Sequence, residues 1–343
     1  MLLNPLATRQ QLAVTPSMTD GLSYDLEMEL RALGCQVIQQ VGVLLRLPQR
    51  TMAVAQVFFQ RFWFTSSMCD FSGSEIAMGA LLLATKLEET QVRLRHLINA
   101  FHYLDYHLTK SLHLPPDWTP SSTYNASNVS LASSADSHSL APPYCAPAYD
   151  SAELSRLRDA VVVSEMQILK RLGFHVQVTL PYALLVNYLQ ALGLTDPSLK
   201  VTVKPHLGWS PEASTPPLVD KASSQPVTLA QCAWSFLNDA LQTPVLCIFG
   251  PHIVACAAIA LAAEMCVPQV NLPLAPAPWW LLFDASEPEI KIAASHLVWR
   301  YHHESSVRNV AGLLDRQELR RHVAAHPASP KSHPEDMVIH KSW

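Results

Sequence analysis

The chain has 343 residues, enough for two domains with separate cores at about 150 residues per domain. Its 24 basic and 28 acidic residues give a net charge of −4, which excludes the strongly basic balance typical of proteins that bind nucleic acid. Hydrophobic residues make up 49% of the chain and charged residues only 15%, which suits buried helices or an apolar face for a partner.

Apolar residues in the first half of the chain recur at steps of three and four, the spacing of one helical face. Pro48 stands where the first turn of a helix tolerates proline, and Gly173 is a typical helix-stop residue. The pattern predicts helices over 26–44, 48–59, 72–87, 92–101 and 153–172.

After Pro181 the helical pattern starts again. It predicts helices at 181–193, 228–241, 251–266, 286–303 and 306–325. Strand-like alternation is nearly absent, so the predicted fold class is all-α, with two tandem domains of five helices each. The longest apolar run, 253–263, is far shorter than the about 20 residues that a membrane-spanning helix needs. No membrane association is therefore predicted.

Changes in composition divide the chain into segments. We expect an N-terminal extension at 1–24 and a first domain at 25–178. A second domain at 179–326 and a polar tail at 327–343 are expected to follow. Two stretches rich in Pro, Ser and other polar residues, 109–149 and 195–226, cannot bury enough apolar surface to offset the entropy of ordering. They are predicted to be flexible insertions within the two domains.

Sequence patterns for catalysis are missing from the chain. It has no glycine-rich phosphate loop, GxSxG or HExxH motif, and its seven dispersed cysteines form no CxxC pair. This cysteine usage is typical of reduced thiols in the nucleus or cytosol. His296, His302 and His303 do not share one helix face well, so a metal site is not predicted. We expect no enzyme activity, no cofactor and no metal.

Two charged residues stand on apolar, helix-patterned segments. Lys86 lies within Ala84-Thr85-Lys86-Leu87-Glu88-Glu89, and Glu165 precedes Leu169 by four residues and Phe174 by nine. Taken alone, either residue is interpreted as a solvated charge on a helix surface, the usual position of Lys and Glu. Their local patterns, A-x-K-[FIL]-E-E and E-x₃-L-x₄-F, resemble the two signatures with which cyclins bind their kinase.

The resemblance to cyclins extends over nearly the whole chain outside the insertions, and it is greatest to the L-type cyclins. The stretches that carry it are Gly34-Cys35-Gln36, Leu44-Leu45-Arg46-Leu47-Pro48-Gln49, Phe59-Gln60-Arg61-Phe62, 94–102, 234–239 and Pro278-Trp279-Trp280-Leu281-Leu282-Phe283. The resemblance implies two tandem five-helix cyclin boxes. It also implies that the chain forms a heterodimer with a cyclin-dependent kinase in the nucleus. In that heterodimer the chain would be the regulatory subunit that activates the kinase.

As L-type cyclins do, such a subunit would act in transcription by RNA polymerase II and in pre-mRNA processing, without binding nucleic acid directly. The kinase-binding residues implied by the resemblance are Lys86, Leu87, Glu89, Glu165, Leu169 and Phe174. The alternative function is a kinase-independent adaptor or scaffold in transcription with the same double-box fold, as in transcription factors of the IIB type.

The sequence departs from the pattern of cell-cycle cyclins in three places. Leu30-Arg31-Ala32-Leu33-Gly34 replaces the M-R-A-I-L motif, Val37 replaces a tryptophan, and Gln60 replaces the aspartate that pairs the arginine. A groove for R-x-L peptides is therefore not implied.

Two aromatic positions have alternative interpretations. Phe174 is expected to face the kinase, and the alternative is a core aromatic that closes the first box. At least one of Trp279 and Trp280 is expected in the core of the second box, because large aromatic side chains are more often buried than exposed.

Overall fold

The computed structural model describes residues 4–112, 144–196, 200–203, 227–267, 269–302 and 310–326. Over these residues the fold is helical, which confirms the predicted all-α class. The helices are α1 (Arg9–Ala13), α2 (Pro16–Thr19), α3 (Tyr24–Leu44), α4 (Gln49–Phe62), α5 (Gly73–Leu87), α6 (Leu94–Leu112), α7 (Ala152–Arg171), α8 (Tyr182–Ala191), α9 (Leu229–Ala240), α10 (Val245–Ile248), α11 (Pro251–Met265), α12 (Glu287–His302) and α13 (Arg316–Ala325). Two 3₁₀ turns, Trp279–Phe283 and Ala311–Leu314, complete the set.

The first domain is built around α5, which is buried along most of its length between α3, α4 and α7. Serine side chains cap two of its helices: Ser23 Oγ accepts from Leu26 N, and Ser151 Oγ accepts from Leu154 N. Each of these bonds satisfies a backbone N–H that the first helical turn leaves without a partner. The five helices α3 to α7 correspond to the five predicted for this domain.

The second domain has α11 at its centre, in contact with α8, α9 and α12. Helix α11 buries apolar residues on nearly every side, as its uninterrupted apolar sequence requires. Trp279 is buried in this core and Trp280 is half-buried, so the prediction that at least one of them belongs to the core is confirmed.

A small sheet lies at one side of this domain, where the sequence predicted no strand. Strand β1 (Lys200–Val203) pairs antiparallel with β2 (Val227–Thr228) and with β3 (Cys266–Val267). Strand β1 falls within the stretch 195–226 that was predicted to be a flexible insertion, and pairing on both sides satisfies its backbone groups. The rest of that stretch lies outside the described residues, apart from residues 195–196.

The structure describes residues at both ends of the other predicted insertion, 109–149. Helix α6 continues to Leu112, and on the far side Tyr144 already contacts α6, with its hydroxyl donating to Asn99 O at 3.2 Å. The Tyr144 ring also meets the Tyr103 ring edge-on, at 5.0 Å between centroids. Residues 113–143 lie outside the described part of the chain.

The N-terminal extension packs across both domains. Asn4 exchanges two hydrogen bonds with the backbone of Thr179 in the interdomain linker, at 2.9 and 2.8 Å. Ala7 N donates to Cys247 O in the second domain at 2.7 Å. The extension therefore ties the first domain, the linker and the second domain together.

The last helix, α13, packs on the first domain, although the predicted boundaries placed it in the second. Val310, Leu314 and Leu319 are buried in the first-domain core. Ser72 Oγ donates to Leu314 O at 3.2 Å, and Arg320 Nε donates to Cys69 O at 2.6 Å. The amphipathic pattern of 306–325 identifies an apolar face but not the core that buries it, which explains the difference.

Candidate functional site

Helices α5 and α7 lie in close contact because one residue between them has no side chain. A Cβ built on Gly79 would lie 2.8 Å from the Glu165 backbone nitrogen and 2.8 Å from Ser164 Cβ. Both distances are shorter than van der Waals contact allows, so only glycine fits at this crossing. The tight crossing places the middle of α5 against Ser164 and Glu165 in the C-terminal half of α7.

Lys86 and Glu165, the two charged residues predicted to bind a kinase, meet across this contact. Lys86 Nζ donates to both oxygens of the Glu165 carboxylate, at 2.6 and 2.8 Å. The Lys86 side chain is 57% exposed, whereas that of Glu165 is only 12% exposed. The lysine thus covers a carboxylate that is otherwise set into the α5–α7 contact, and both remain at the protein surface.

Glu89 is exposed because of how α5 ends. The N–H of Thr90 bonds to Thr85 O at 2.9 Å and that of Glu89 to Lys86 O at 3.4 Å, which is the Schellman arrangement of a helix terminus. Glu89 takes the left-handed conformation (φ 54°) that this arrangement requires. Its neighbour Glu88 instead pairs with Arg50 Nε at 2.5 Å. Of these two glutamates, the one predicted for the site projects outward.

Helix α7 also ends in a Schellman arrangement, and an aromatic residue directly follows its left-handed glycine. Gly173 (φ 57°) and Phe174 (φ 61°) are both left-handed, and Phe174 N donates to Leu169 O at 2.9 Å. A non-glycine residue in this conformation costs about 1–2 kcal/mol. The Phe174 side chain is 65% exposed, which excludes the alternative that it closes the first-domain core. The backbone therefore holds a large apolar ring in water at a conformational cost.

Further apolar side chains lie on the same two helices as the charged pair. Leu87 is exposed, and Leu169 is half-buried against the first-domain core. Sequence reasoning missed Val162, Val163 and Met166, which are also exposed on α7. The signal for Val162 and Val163 was the run of consecutive valines at 161–163, because on a helix with one buried face the three cannot all point to the core.

We call this set the α5/α7 surface. It consists of Lys86, Leu87, Glu89, Val162, Val163, Glu165, Met166, Leu169 and Phe174. An exposed apolar cluster with an ion pair at its centre is typical of a surface that binds a protein partner.

The Gly79 contact gives a testable expectation. Gly79→Ala should lower the free energy of unfolding by about 1–3 kcal/mol, because the added methyl group forces α5 and α7 apart. The same displacement should separate Lys86 from Glu165. Urea unfolding of the variant measures the first effect. The matched change Gly312→Ala, where a Cβ meets nothing within 4 Å, should cost much less. Equal losses in both variants would contradict the packing role of Gly79.

Arg31 has a partner that the sequence did not predict. Its Nη2 and Nε donate to Glu27 Oε1 at 2.6 and 3.0 Å, and its guanidinium lies 4.4 Å from the centre of the Phe64 ring. Both charged side chains are fully buried. Glu27, one helical turn before Arg31, thus supplies the carboxylate that cell-cycle cyclins supply from the position of Gln60. Gln60 contributes a backbone carbonyl to Nη1 at 3.4 Å.

In the part of the chain that the structure describes, no three or more His, Cys, Asp or Glu side chains are close enough to share a metal ion. His296 lies half-buried on α12, and burial lowers its pKa. Over the same residues no helix combines the length and apolarity that crossing a bilayer demands.

Known proteins match this fold and these motifs. The family profile "Cyclin, N-terminal domain" matches residues 4–114. Cyclin-L1 of Danio rerio is 33% identical over 288 residues, which is 84% of this chain and 45% of that protein. Cyclin-L2 of Mus musculus is 34% identical over 289 residues, or 84% of this chain and 43% of that protein. The chain therefore spans less than half the length of these relatives.

A solved structure shares the architecture at much lower identity. It is the crystal structure of the yeast RNA Pol II CTD kinase CTDK-1 complex, with a TM-score of 0.58, 14% identity, and coverage of 100% of this chain and 93% of that chain. At this identity the likeness shows the fold alone. The sequence matches above show that the chain belongs to the cyclin family. Within that family it is similar to the L-type cyclins, as its motifs predicted.

Proposed function

We propose that this chain is the regulatory, activating subunit of a cyclin-dependent protein kinase and binds that kinase through the α5/α7 surface. The observation that carries the proposal is the exposure of Phe174 and the α7 aliphatic residues around the Lys86–Glu165 pair. Burying such a cluster against a partner would recover the hydrophobic free energy that the free chain forgoes.

The charged pair is suited to orient the partner. An ammonium group has three N–H donors, and the Glu165 carboxylate uses only two of those of Lys86. The third donor and the remaining lone pairs of the carboxylate are available to polar groups of a kinase. Charge-assisted hydrogen bonds of this kind fix the relative orientation of two surfaces that apolar contact alone would leave free to slide.

Activation would follow from binding to one conformation of the kinase. A protein kinase is active when its Lys–Glu ion pair forms and its activation loop opens, which requires the helix that carries the Glu to move inward. A cyclin surface that packs on that helix only in its inward position binds the active kinase more tightly than the inactive one. This difference in affinity shifts the population of the kinase towards the active state. The chain itself carries out no chemical step in this scheme.

The similarity to L-type cyclins supports a more specific role. We propose that the heterodimer acts in the nucleus, in transcription by RNA polymerase II and in pre-mRNA processing, and that this subunit contacts neither nucleic acid nor membrane. The net charge of −4 favours a protein partner over a nucleic acid.

Purification from cells that express the tagged chain tests the proposal. We expect one protein kinase at near-equal stoichiometry, with activity that depends on the chain. The matched control is a chain with Met166→Lys, which places a charge in the α5/α7 surface and should lose the kinase while remaining folded. If no kinase is recovered and other transcription proteins are, the kinase-independent adaptor is the better assignment.

Phe174→Ala should weaken kinase binding by about 2 kcal/mol while changing the unfolding free energy of the free chain by less than about 0.5 kcal/mol. The ring is exposed in the free chain and would be buried only in the complex. A binding titration and thermal unfolding of the free variant measure the two effects. Tyr149→Ala removes another exposed ring of the same domain, outside the α5/α7 surface, and should leave binding unchanged. Loss of about 3–5 kcal/mol of stability on Phe174→Ala would show a core role instead.

A further inference from the structure

A second site lies where the N-terminal extension crosses the ends of α4 and α7. Here an open cavity of about 160 Å³ is bounded by Leu6 of the extension, Phe64 after α4 and Cys247 of the second domain. Arg61, near the end of α4, lines it as well. The cavity belongs to neither the α5/α7 surface nor the domain cores.

Arg61 is the unusual feature of this cavity. Its side chain is 5% exposed, and its Nη1 donates to Gln177 O at 3.2 Å. Its Nε and Nη2 are buried without any hydrogen-bond partner. These two N–H groups form one edge of the guanidinium, the edge that binds two oxygens of an anion side by side. Burial without a counter-charge lowers the pKa of Arg61, because desolvation disfavours the charged form.

The surroundings of Arg61 add a second guanidinium and an imidazole but no carboxylate. Arg171, the last residue of α7, and His175 line the same cavity. Among the described residues that line it, none is acidic. Buried arginines are normally paired with carboxylates, as Arg31 is with Glu27 in this same domain. Three basic side chains around one cavity without a carboxylate leave a place for an external anion.

We propose that this cavity binds a phosphate group, held by Arg61 at its floor and by Arg171 and His175 at its rim. A phosphate monoester has the negative charge and the several acceptor oxygens that three basic groups can share, whereas a single carboxylate would satisfy only one guanidinium edge. The rim side chains of Leu6 and His175 are exposed, so they can turn aside to admit the group. Its source is either a free phosphate ion or a phosphorylated side chain of a protein.

The test uses the free chain of 343 residues and needs no kinase, so it is independent of the proposed function. Inorganic phosphate is titrated into the chain by calorimetry and thermal unfolding, against sodium chloride at equal ionic strength. Binding should be saturable, and phosphate at one hundred times its Kd should shift the unfolding equilibrium about a hundredfold towards the folded state. A phosphoserine peptide and its unphosphorylated counterpart form the second arm: tighter binding of the phosphopeptide than of phosphate identifies a protein source, and the reverse identifies the free ion.

Variants locate the site. Arg171→Gln and His175→Gln alter exposed residues, and each should weaken phosphate binding about tenfold with little change in folding. Arg158→Gln removes an exposed arginine of α7 outside the cavity and should have no effect. Arg61→Gln should abolish binding, and if that variant fails to fold, the two rim variants still decide the question. Absence of saturable binding, equal affinity in the rim variants, or equal stabilisation by acetate would overturn the proposal.

Discussion

Exchanging the two central charges, in the variant Lys86→Glu/Glu165→Lys, is expected to abolish kinase activation while the free chain remains folded. The exchange keeps an ion pair between α5 and α7, so the helix contact is preserved, but it presents reversed charges to the partner. Because truncation of such central residues typically costs about 2 kcal/mol or more each, the Kd for the kinase should rise about 30-fold or more. Kinase activity at limiting subunit concentration, with circular dichroism of the free variant, measures both effects.

Two further variants complete this experiment. The double variant Lys86→Ala/Glu165→Ala should lose activation to a similar extent. Glu287→Lys/Lys291→Glu exchanges the charges of an exposed pair on α12, 2.7 Å apart, and should leave activation unchanged. Normal activation by the exchanged Lys86/Glu165 variant would mean that the pair serves only to join α5 to α7, and the kinase-binding role of both residues would be wrong.

Removing the buried carboxylate of Glu27 is expected to cause the largest loss of stability. Glu27→Leu leaves the guanidinium of Arg31 buried without its partner, and such broken pairs cost about 3–5 kcal/mol. It also removes the acceptor of the Thr15 hydroxyl, which connects α3 to the N-terminal extension. Urea unfolding of the free chain measures the loss, which is a large share of the about 5–15 kcal/mol that stabilises a typical domain.

The combined variant Glu27→Leu/Arg31→Met should be more stable than Glu27→Leu alone, because it leaves no unpaired charge in the core. As a control, Glu318→Ala breaks the exposed pair with Arg321 and should change stability by less than about 1 kcal/mol. A loss on Glu27→Leu no greater than in this control would show that Arg31 finds another partner.

The helices of the first domain could be predicted because their ends carry local signals. The helix predicted over 72–87 runs from Gly73 to Leu87, and the one predicted over 153–172 runs from Ala152 to Arg171. Ser72 and Ser151 directly precede the first turns of these two helices, and Gly173 follows the end of the second. The exposure of Phe174 could be predicted for the same reason, since the chain turns away from the helix at Gly173.

Features that depend on distant parts of the chain could not be predicted in this way. Residues Lys86 and Glu165 were each identified, but their pairing depends on the close helix crossing at Gly79, which spacing along the chain does not reveal. Strand β1 has four residues, too few for a period-two pattern to stand out. The unpaired nitrogens of Arg61 are visible only once burial and the surrounding residues are known.

The docking of α13 on the first domain has a consequence for how the protein is made. Ribosomal synthesis proceeds at about 5–20 residues per second, and N-terminal domains generally fold while later segments are still being added. Here Leu314 and Leu319 belong to the first-domain core, yet they leave the ribosome only after the whole second domain. Until then the part of the first-domain core that Leu314 and Leu319 cover, beside Ser72 and Gly73, stays exposed on the nascent chain. A chaperone that binds exposed apolar surface during translation would protect it.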